Sequence, residues 1–414
     1  MNKKLGLAVA SAVLAFGASA ANAGIVIPAG DWTVDISGNI NAYVTHVEDN
    51  VSINGLPSTR SSRSNVQGGT LSSAFGIGAK TRQNDLDIGF QFTMFADGDG
   101  SAWGGSTGAG SGPVTANGSS FANVRQAYLT VGDKSWGSVK AGRDIGLFAS
   151  EALLSDMALL GGVGQGNSSL AHVGSGYMYA DWVNQVQYNS PNWNGLTFAF
   201  AVRAPLSNGA NANNQPNNAN WVRPGNKELG YDGKIGYDWS GNVAGNPLTA
   251  RAYFGALYQK QDASLTSAGY DSWGGEVGGK VGYWGFELTG YYYNGQGLDS
   301  QVAANTLIWG GLLHGSSANT KDEGGYAQLT YKIPTIGTKV GISYGVSDSV
   351  LNGAWNAANE SFIVGAYHPL TKSLNLVAEY SNQQQKASFN PALGGNTRET
   401  HDVDQFSIGA ILFF

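Results

Sequence analysis

The sequence predicts an all-β fold, a transmembrane antiparallel β-barrel of about sixteen strands. Three observations support this prediction: apolar residues recur with a two-residue period, connections alternate between short and long, and the composition is unusual. The 414 residues include 61 Gly and no Cys, and only 13% are charged. Ordinary soluble proteins have about 25% charged residues, so a cytoplasmic enzyme is disfavoured. Because an exported chain without cysteine forms no disulfide, its stability would come from one large hydrogen-bonded sheet.

The first element is a secretory signal at residues 1–23, so the barrel domain spans 24–414. Lys3 and Lys4 open it, an apolar run follows, and Ala21–Ala23 has the small-x-small pattern of a cleavage site. No later stretch approaches 18 consecutive apolar residues, so no transmembrane helix is expected. Losing the two lysines takes the net charge from −6 to −8. This charge argues against nucleic acid as a partner.

Strands follow in strict alternation. From Trp32 onward, the apolar Val34, Ile36 and Ile40 alternate with polar residues, which is the period of a strand. The strands run about nine to twelve residues, the length that a tilted strand needs to cross a bilayer. The same pattern returns in Leu71–Lys80, Leu86–Ala96, Leu229–Trp239, Leu248–Tyr258, Phe286–Tyr293, Val340–Val346 and Leu374–Tyr380.

The connections alternate in length. Seven are short: Thr81–Asn84, Gly132–Ser135, Asn189–Gly195, Ser240–Asn246, Gly282–Gly285, Pro334–Gly337 and His368–Lys372. Eight are long and polar or Gly-rich: Glu48–Gln67, Gly98–Ser119, Asp144–Ala180, Pro205–Lys227, Gln261–Tyr270, Gly297–Glu323, Asp348–Ala357 and Gln383–Asp402. They imply about sixteen strands, an even number, so the two termini should meet at the rim of the short turns.

A soluble β-sandwich also alternates apolar and polar residues, but two features oppose it. Aromatic residues gather next to the turns, where lipid-facing girdles sit: Trp193, Trp239, Trp273, Tyr283, Trp284 and Tyr331. The inward set carries too many charges for a packed core, so this face should meet water. The charged residues are Asp232, Lys234, Asp238, Arg251, Glu276, Lys280, Glu287, Lys339 and Glu379.

Four runs along the chain carry a family resemblance. They are Val124–Leu129 (VRQAYL), Trp136–Asp144 (WGSVKAGRD), Tyr188–Pro191 (YNSP) and Phe362–Tyr367 (FIVGAY). Their order and spacing resemble the general trimeric porins of Gram-negative bacteria, especially the branch with "GR" before its third loop. The C-terminal alternation resembles the outer-membrane signature that the family's insertion machinery reads: Phe406, Ile408, Ala410, Leu412 and Phe414.

The resemblance implies that the third loop, Asp144–Ala180, folds back into the barrel lumen, with acidic side chains facing a basic wall. Glu151 and Asp156 are the acidic candidates for this constriction. Good helix formers within Phe148–Leu160 predict a short helix in the loop. The alternative is an exposed lid whose acids are merely solvated.

On the wall, Arg125 matches the family's wall arginine. It should point into the lumen, because an arginine facing lipid near the midplane costs about 2 to 4 kcal/mol. Arg143 matches the "GR" arginine and either lines the pore or braces the loop root, while Lys140 joins them if its strand faces inward. Gln187 stands where many relatives carry arginine, so the basic wall looks thinned. The predicted constriction set is Arg125, Lys140, Arg143, Asp144, Glu151, Asp156 and Gln187.

These patterns predict an outer-membrane channel for passive diffusion of small hydrophilic solutes and ions. The net charge of −8, the loop acids and Gln187 favour a weak preference for cations. No enzymatic activity, cofactor or metal is expected. The expected partners are identical chains in a homotrimer, outer-membrane lipid and lipopolysaccharide. The trimer interface would use the first five strands and the last, with Ser73, Gln126 and Thr130 facing outward if Arg125 points inward.

Two alternatives stay open. A substrate-specific channel would need an aromatic slide along the lumen, for which Tyr43, Tyr253, Tyr291 and Tyr293 are candidates. An outer-membrane barrel enzyme would need a nucleophile, an acid and a base clustered with a histidine at one rim.

Overall fold

The computed structural model describes residues 24–54, 56–96, 123–162, 171–205, 227–262, 269–298, 319–351, 353–389 and 398–414. The predicted signal (1–23) and the predicted loop Gly98–Ser119 lie outside the described residues. Among the described residues, no helix is long and apolar enough to span a membrane.

The described chain is almost entirely strand. Its helices are α1, Ser150–Ser155, and a 3-10 helix, Met157–Leu160. The strands are β1 Ile25–Ala29, β2 Trp32–Ile53, β3 Thr59–Gln67, β4 Ser73–Gln83, β5 Leu86–Ala96, β6 Asn123–Asp133, β7 Gly137–Ile145, β8 Trp182–Asn189, β9 Leu196–Arg203, β10 Gly230–Val243, β11 Asn246–Gln261, β12 Tyr270–Tyr283, β13 Phe286–Gln296, β14 Lys321–Lys332, β15 Lys339–Leu351, β16 Trp355–Pro369, β17 Leu374–Phe389 and β18 Arg398–Phe413.

The strands close into one antiparallel barrel of sixteen staves, where a stave is one full crossing of the wall. β3 and β4 are two pieces of a single stave, since β2 pairs with β3 over Tyr43–Val51 and with β4 over Thr33–Asn39. β1 continues the line of β18 along β2. The predicted fold class and strand number are therefore confirmed.

The two ends of the barrel domain meet on β2. Phe414 exchanges two backbone hydrogen bonds with Gly38, at 2.7 and 3.1 Å. Ile25 is paired with Ile36, only two residues away from Gly38 on β2. The predicted meeting of the termini is confirmed, and it closes the wall without a free edge at this seam.

All seven predicted short connections are present at one rim. Four of them contain a two-residue turn in which both residues have positive φ, the geometry that suits the twist of a tight hairpin. These turns are Asn84–Asp85, Asn194–Gly195, Ala244–Gly245 and Trp284–Gly285.

At the opposite rim, the strands are longer than predicted. β2 alone has 22 residues, and β15 and β16 are separated by residues 352–354 only. Three segments predicted as loops, Glu48–Gln67, Asp348–Ala357 and Gln383–Asp402, are therefore partly paired strand. The prediction failed there because hairpins that rise beyond the bilayer have polar residues on both faces and lose the apolar half of the alternation.

The outward face is apolar and the inward face is polar. On β12, Val277 is 52% exposed on the outside, whereas Glu276 beside it is 2% exposed on the inside. The girdle tryptophans Trp193, Trp239, Trp273 and Trp284 are all exposed. Phe406, Ile408 and Leu412 of the C-terminal signature also face outward, on the same side of β18 as Ala410, and the Phe414 ring lies 6.5 Å from that of Phe75.

The expectation that the whole charged inward face meets water is wrong at three positions. Asp232, Glu276 and Glu379 are buried, with 2%, 2% and 7% exposure. Their carboxylates accept backbone hydrogen bonds from the segment that connects β7 and β8. Burial is tolerated because each carboxylate has polar partners.

Candidate functional site

The connection between β7 and β8 is called here the third-loop segment and comprises the described residues 146–162 and 171–181. Its root is closed by a hydrogen bond from Gly146 N to Asp181 O, at 2.9 Å. Helix α1 follows Ala149, a residue with φ of 62°. The short helix predicted in this loop is confirmed.

A carboxylate from the wall holds the start of α1. Glu276 on β12 accepts a hydrogen bond from Ala149 N at 2.8 Å and another from the Tyr291 hydroxyl at 2.9 Å. The first amides of a helix have no partner within the helix. Glu276 therefore both satisfies and positions the helix start.

Side chains of β14 hold the middle of the segment. Gln328 accepts from Met157 N at 2.7 Å and donates to Ser155 O at 3.1 Å. The Tyr326 hydroxyl donates to Ala152 O at 2.8 Å. Backbone groups between α1 and the 3-10 helix, which have no regular ladder to join, are thus paired with the wall.

The far end of the segment bonds to the interrupted stave. Between β3 and β4, the backbone amides of Thr70 and Leu71 donate to Gly161 O and Leu159 O, at 2.9 and 3.2 Å. Gln405 on β18 donates to Gly162 O at 2.9 Å. The interruption has a clear physical cause, because these wall amides pair with the third-loop segment instead of with β2.

Glu151 on α1 faces two cations of the wall. Its Oε1 accepts from Arg251 Nε at 2.7 Å and also pairs with Nη2, and Lys234 Nζ lies 3.9 Å from Oε2. Arg251 also pairs with Asp238 at 2.6 Å. These side chains retain partial exposure, so this is a charged cluster in contact with solvent. Alternation predicted that the wall residues face inward, but their pairing with Glu151 was not predicted.

Asp156 is instead buried within the third-loop segment. Its Oδ1 caps the 3-10 helix by accepting from Ala158 N at 2.9 Å. Its Oδ2 accepts from His172 N at 3.0 Å and from the Tyr177 hydroxyl at 2.9 Å. Burial raises the pKa of Tyr177 far above its usual range and lowers the pKa of His172. Asp156 therefore organises the segment from inside.

Lys140 and Asp144 form an ion pair along β7. Asp144 is buried and also accepts from Gln126 Nε2 at 2.9 Å. Lys140 is paired across the sheet with Gln187, which is buried on the inward face. The structure thus brings Lys140, Asp144 and Gln187 together near the root of the third-loop segment, with Lys140 on the inward side.

Arg125 lies at a β-bulge. The register between β5 and β6 shifts at Thr93/Met94, which leaves Arg125 as the extra residue. Its guanidinium lies 4.7 Å from the ring centre of the inward-facing Phe95. The bulge also turns Gln126 inward, so the prediction that Gln126 and Thr130 face outward is wrong. Thr130 pairs with Lys140 on the inward side.

Arg143 lies on the other face of the wall. Its cross-strand partners are Ala127 and Asn184. Both partners lie on the outward face, on the same side of their strands as the exposed Leu129 and Val186. Arg143 is therefore not beside Lys140, although the sequence placed both in one constriction set.

The four tyrosines considered for an aromatic slide do face inward. Tyr43, Tyr253, Tyr291 and Tyr293 are between 1% and 7% exposed. Tyr43 donates to Leu160 O at 2.5 Å, and Tyr291 donates to Glu276. Tyr43, and Tyr291 through Glu276, thus hold the third-loop segment, and all four rings offer almost no surface to a passing solute.

Comparison with known proteins gives one family and a set of similar folds. The profile of the family described as Gram-negative porin matches residues 10–388. None of the curated protein sequences compared with the chain is significantly similar to it. An anion-selective porin from Comamonas acidovorans is 15% identical with a TM-score of 0.59, and 92% of this chain and 100% of that chain are covered.

Two further solved structures have the same fold. The outer membrane channel DcaP of Acinetobacter baumannii is 15% identical, with a TM-score of 0.59 and coverage of 94% of this chain and 99% of that chain. OmpT of Vibrio cholerae, in its trimer form, is 15% identical, with a TM-score of 0.51 and coverage of 92% and 99%.

Proposed function

The chain belongs to the Gram-negative porin family and is an outer-membrane porin channel, and on this premise we propose that it passes small hydrophilic solutes and ions by passive diffusion. A water-filled lumen spares such solutes the cost of desolvation. Inward charged side chains that retain partial exposure, such as Glu151, Lys234 and Arg251, fit a wall that water wets.

The anchoring of the third-loop segment is the observation that carries this proposal. Its backbone is bonded to inward side chains on β12, β14, β18 and β2 and to the gap between β3 and β4. We infer that the segment lies across the lumen and sets the size limit. The opening is then bounded by α1 with Glu151 on one side and by Arg125 and Lys140 on the other.

The charges of the wall support a weak preference for anions. The expectation of a cation preference rested on the net charge of the whole chain, on the loop acids Glu151 and Asp156 and on the neutral Gln187. Permeating ions respond to nearby accessible charges, and Asp156 is buried. Between the third-loop segment and the short-turn rim, most of the charged inward side chains that are not buried are cationic. This comparison leaves out Arg82 and Asp87, which pair with each other. The cations are Lys80, Arg125, Lys140, Lys234, Arg251, Lys280, Lys332 and Lys339, and the acids are Asp35, Glu151, Asp238 and Glu287.

Reversal potentials in a salt gradient across a planar bilayer test the proposal. At low salt the wild type should prefer anions, Arg251→Gln should move the potential toward cations, and Glu151→Gln should move it toward anions. Lys260→Gln is the control, since Lys260 carries the same charge but pairs with Glu228 on the exposed outer face. A wild type without conductance refutes the channel, and potentials unmoved by both lumen variants refute the placement of the constriction.

The assembly is a homotrimer embedded in outer-membrane lipid and lipopolysaccharide. One of the similar folds is a trimer form. Arg143 also supports it, because an arginine on the outward, lipid-facing side of the wall is unfavourable unless a neighbour covers it. Native mass measurement in mild detergent should give a trimer. Finding only monomers, with the barrel still folded, would contradict this assembly.

The porin carries out no covalent chemistry. One histidine does lie between serines and near a carboxylate: His172 contacts Ser343 and Ser361, and its backbone amide bonds to Asp156. Its ring is 0% exposed, and the carboxylate holds the backbone amide and not the ring. A hydrolase would need an accessible nucleophile and an oriented base. Purified protein should therefore hydrolyse neither ester nor peptide probes.

A further inference from the structure

The returning limb of the third-loop segment, residues 172–177, is fastened to the wall around one fully buried histidine. His172 is 0% exposed and stacks on Tyr326 with ring centres 5.4 Å apart. Its Nδ1 lies 2.5 Å from Ser361 Oγ, and its Nε2 lies 2.6 Å from Ser343 Oγ. Gly176 N donates to Ser347 Oγ at 2.9 Å, so the limb is held along both β15 and β16.

The hydrogen bonds around His172 form a directed chain. Ser175 Oγ donates to Ser361 Oγ at 2.9 Å, which directs the Ser361 proton toward His172 Nδ1. In this arrangement Nε2–H donates a hydrogen bond to Ser343 Oγ, and the Ser343 hydroxyl donates to Ala327 O at 3.4 Å. Each hydroxyl has a single proton to donate, and in this arrangement Nδ1 accepts, so that the ring is neutral with its proton on Nε2.

A second ring proton would disrupt this chain. The Ser361 hydroxyl would have to turn its own proton away from Nδ1, and a cation would be buried in a site with 0% exposure. The titratable groups that face His172 are Asp156 and Tyr177 from its own segment and Tyr326 from β14, while β15 and β16 present serines. Attraction by Asp156 is outweighed by burial, which lowers the pKa of His172.

We propose that residues 172–177 form an acid-labile latch, which docks on β15 and β16 when His172 is neutral and is released into the lumen when His172 is protonated. The direction of the pH dependence follows from the difference in the pKa of His172 between the released and the docked state. The released histidine titrates near its ordinary value of about 6.5, and the docked one titrates lower. Docking is therefore independent of this titration above that pH, and below it the docked-to-released ratio falls by up to about tenfold per pH unit.

This inference rests on the proposed channel, because released residues would obstruct the flow of ions. Single-channel conductance should be constant between pH 8 and 7 and fall reversibly toward pH 5. His172→Gln, which keeps a neutral hydrogen-bonding side chain, should flatten that profile. His46→Gln is the matched control, because the His46 side chain is 48% exposed on the outer face. An equal acid response in His172→Gln, or none in the wild type, overturns the latch.

A cross-link provides an independent test. The protein has no cysteine, and the hydroxyls of Ser175 and Ser361 are 2.9 Å apart. The double variant Ser175→Cys/Ser361→Cys should therefore form one disulfide that fixes the limb to the wall. Oxidised protein should lose the acid response, and reductant should restore it. An acid response that survives oxidation of the double variant refutes the latch. Absence of conductance of the wild type at every pH instead refutes the proposed channel itself.

Discussion

The outward face of the barrel and the third-loop segment are built in opposite ways. On the outward face, Val277 and Ile342 are about half exposed and meet lipid, with no specific partner. In the third-loop segment, Phe148 and Met157 are 2% exposed, and the backbone is bonded to individually placed wall side chains. Any apolar residue suits the first region, whereas particular residues are required in the second. On the outward face, a substitution should therefore matter mainly when it introduces a polar or charged group. In the third-loop segment and its wall contacts, even a substitution by a residue of similar size should matter.

The largest effect should come from placing a charge on the outward face. Val277 lies between the girdle residues Trp273 and Tyr283 on β12, so Val277→Arg puts a cation near the bilayer midplane. We expect unfolding by urea in lipid vesicles to need about 2 to 4 kcal/mol less free energy. Gln91→Arg is the control, because Gln91 faces inward on β5. An equal loss of unfolding free energy in Val277→Arg and Gln91→Arg would contradict the difference between the outward and inward faces.

An intermediate effect should come from removing one anchor of the third-loop segment. Gln328→Leu keeps the volume but leaves Met157 N and Ser155 O without their partner. The docked segment should lose about 1 to 3 kcal/mol. The measurement is hydrogen exchange at the Met157 amide, which should accelerate together with noise in the open channel. Gln83→Leu, at an exposed position at the end of β4, should change neither.

The smallest effect should come from a single hydroxyl. Tyr43→Phe removes the hydrogen bond to Leu160 O and leaves the ring packed. The expected cost is about 0.5 to 1.5 kcal/mol in docking, seen as faster exchange near Leu160 with unchanged unfolding of the barrel. Tyr237→Phe, on the exposed outer face, is the comparison. A larger loss of stability in Tyr237→Phe than in Tyr43→Phe would reverse the ranking of the two regions.

The sequence predicted those parts of the fold that a repeating pattern encodes. Alternation around residues such as Ile36 gave the strands, and connection lengths gave sixteen staves and the meeting of the termini. Polar hairpins such as β2 with β3 were mistaken for a loop, because their alternation lacks an apolar half. The orientation of Gln126 was missed because one bulged residue shifts the parity of β6.

The candidate site depended on contacts that no local pattern encodes. Glu151 was identified among the loop acids, but its partner Arg251 is 100 residues away. Asp156 has the same charge and lies on the same loop, yet it is buried by Tyr177 and His172. The difference between these two acids comes from the path of the chain between α1 and β8, which sequence spacing does not specify.

The interruption between β3 and β4 limits how the pore can be redesigned. The amides of Thr70 and Leu71 take part in the wall and in the docking of the third-loop segment at once, because they donate to carbonyls of that segment. Deleting the segment to widen the opening would leave these amides without partners in a stave that spans the membrane. A wider channel is therefore better obtained by shortening side chains on α1 than by removing backbone. In this barrel, the third-loop segment is a structural part of the wall.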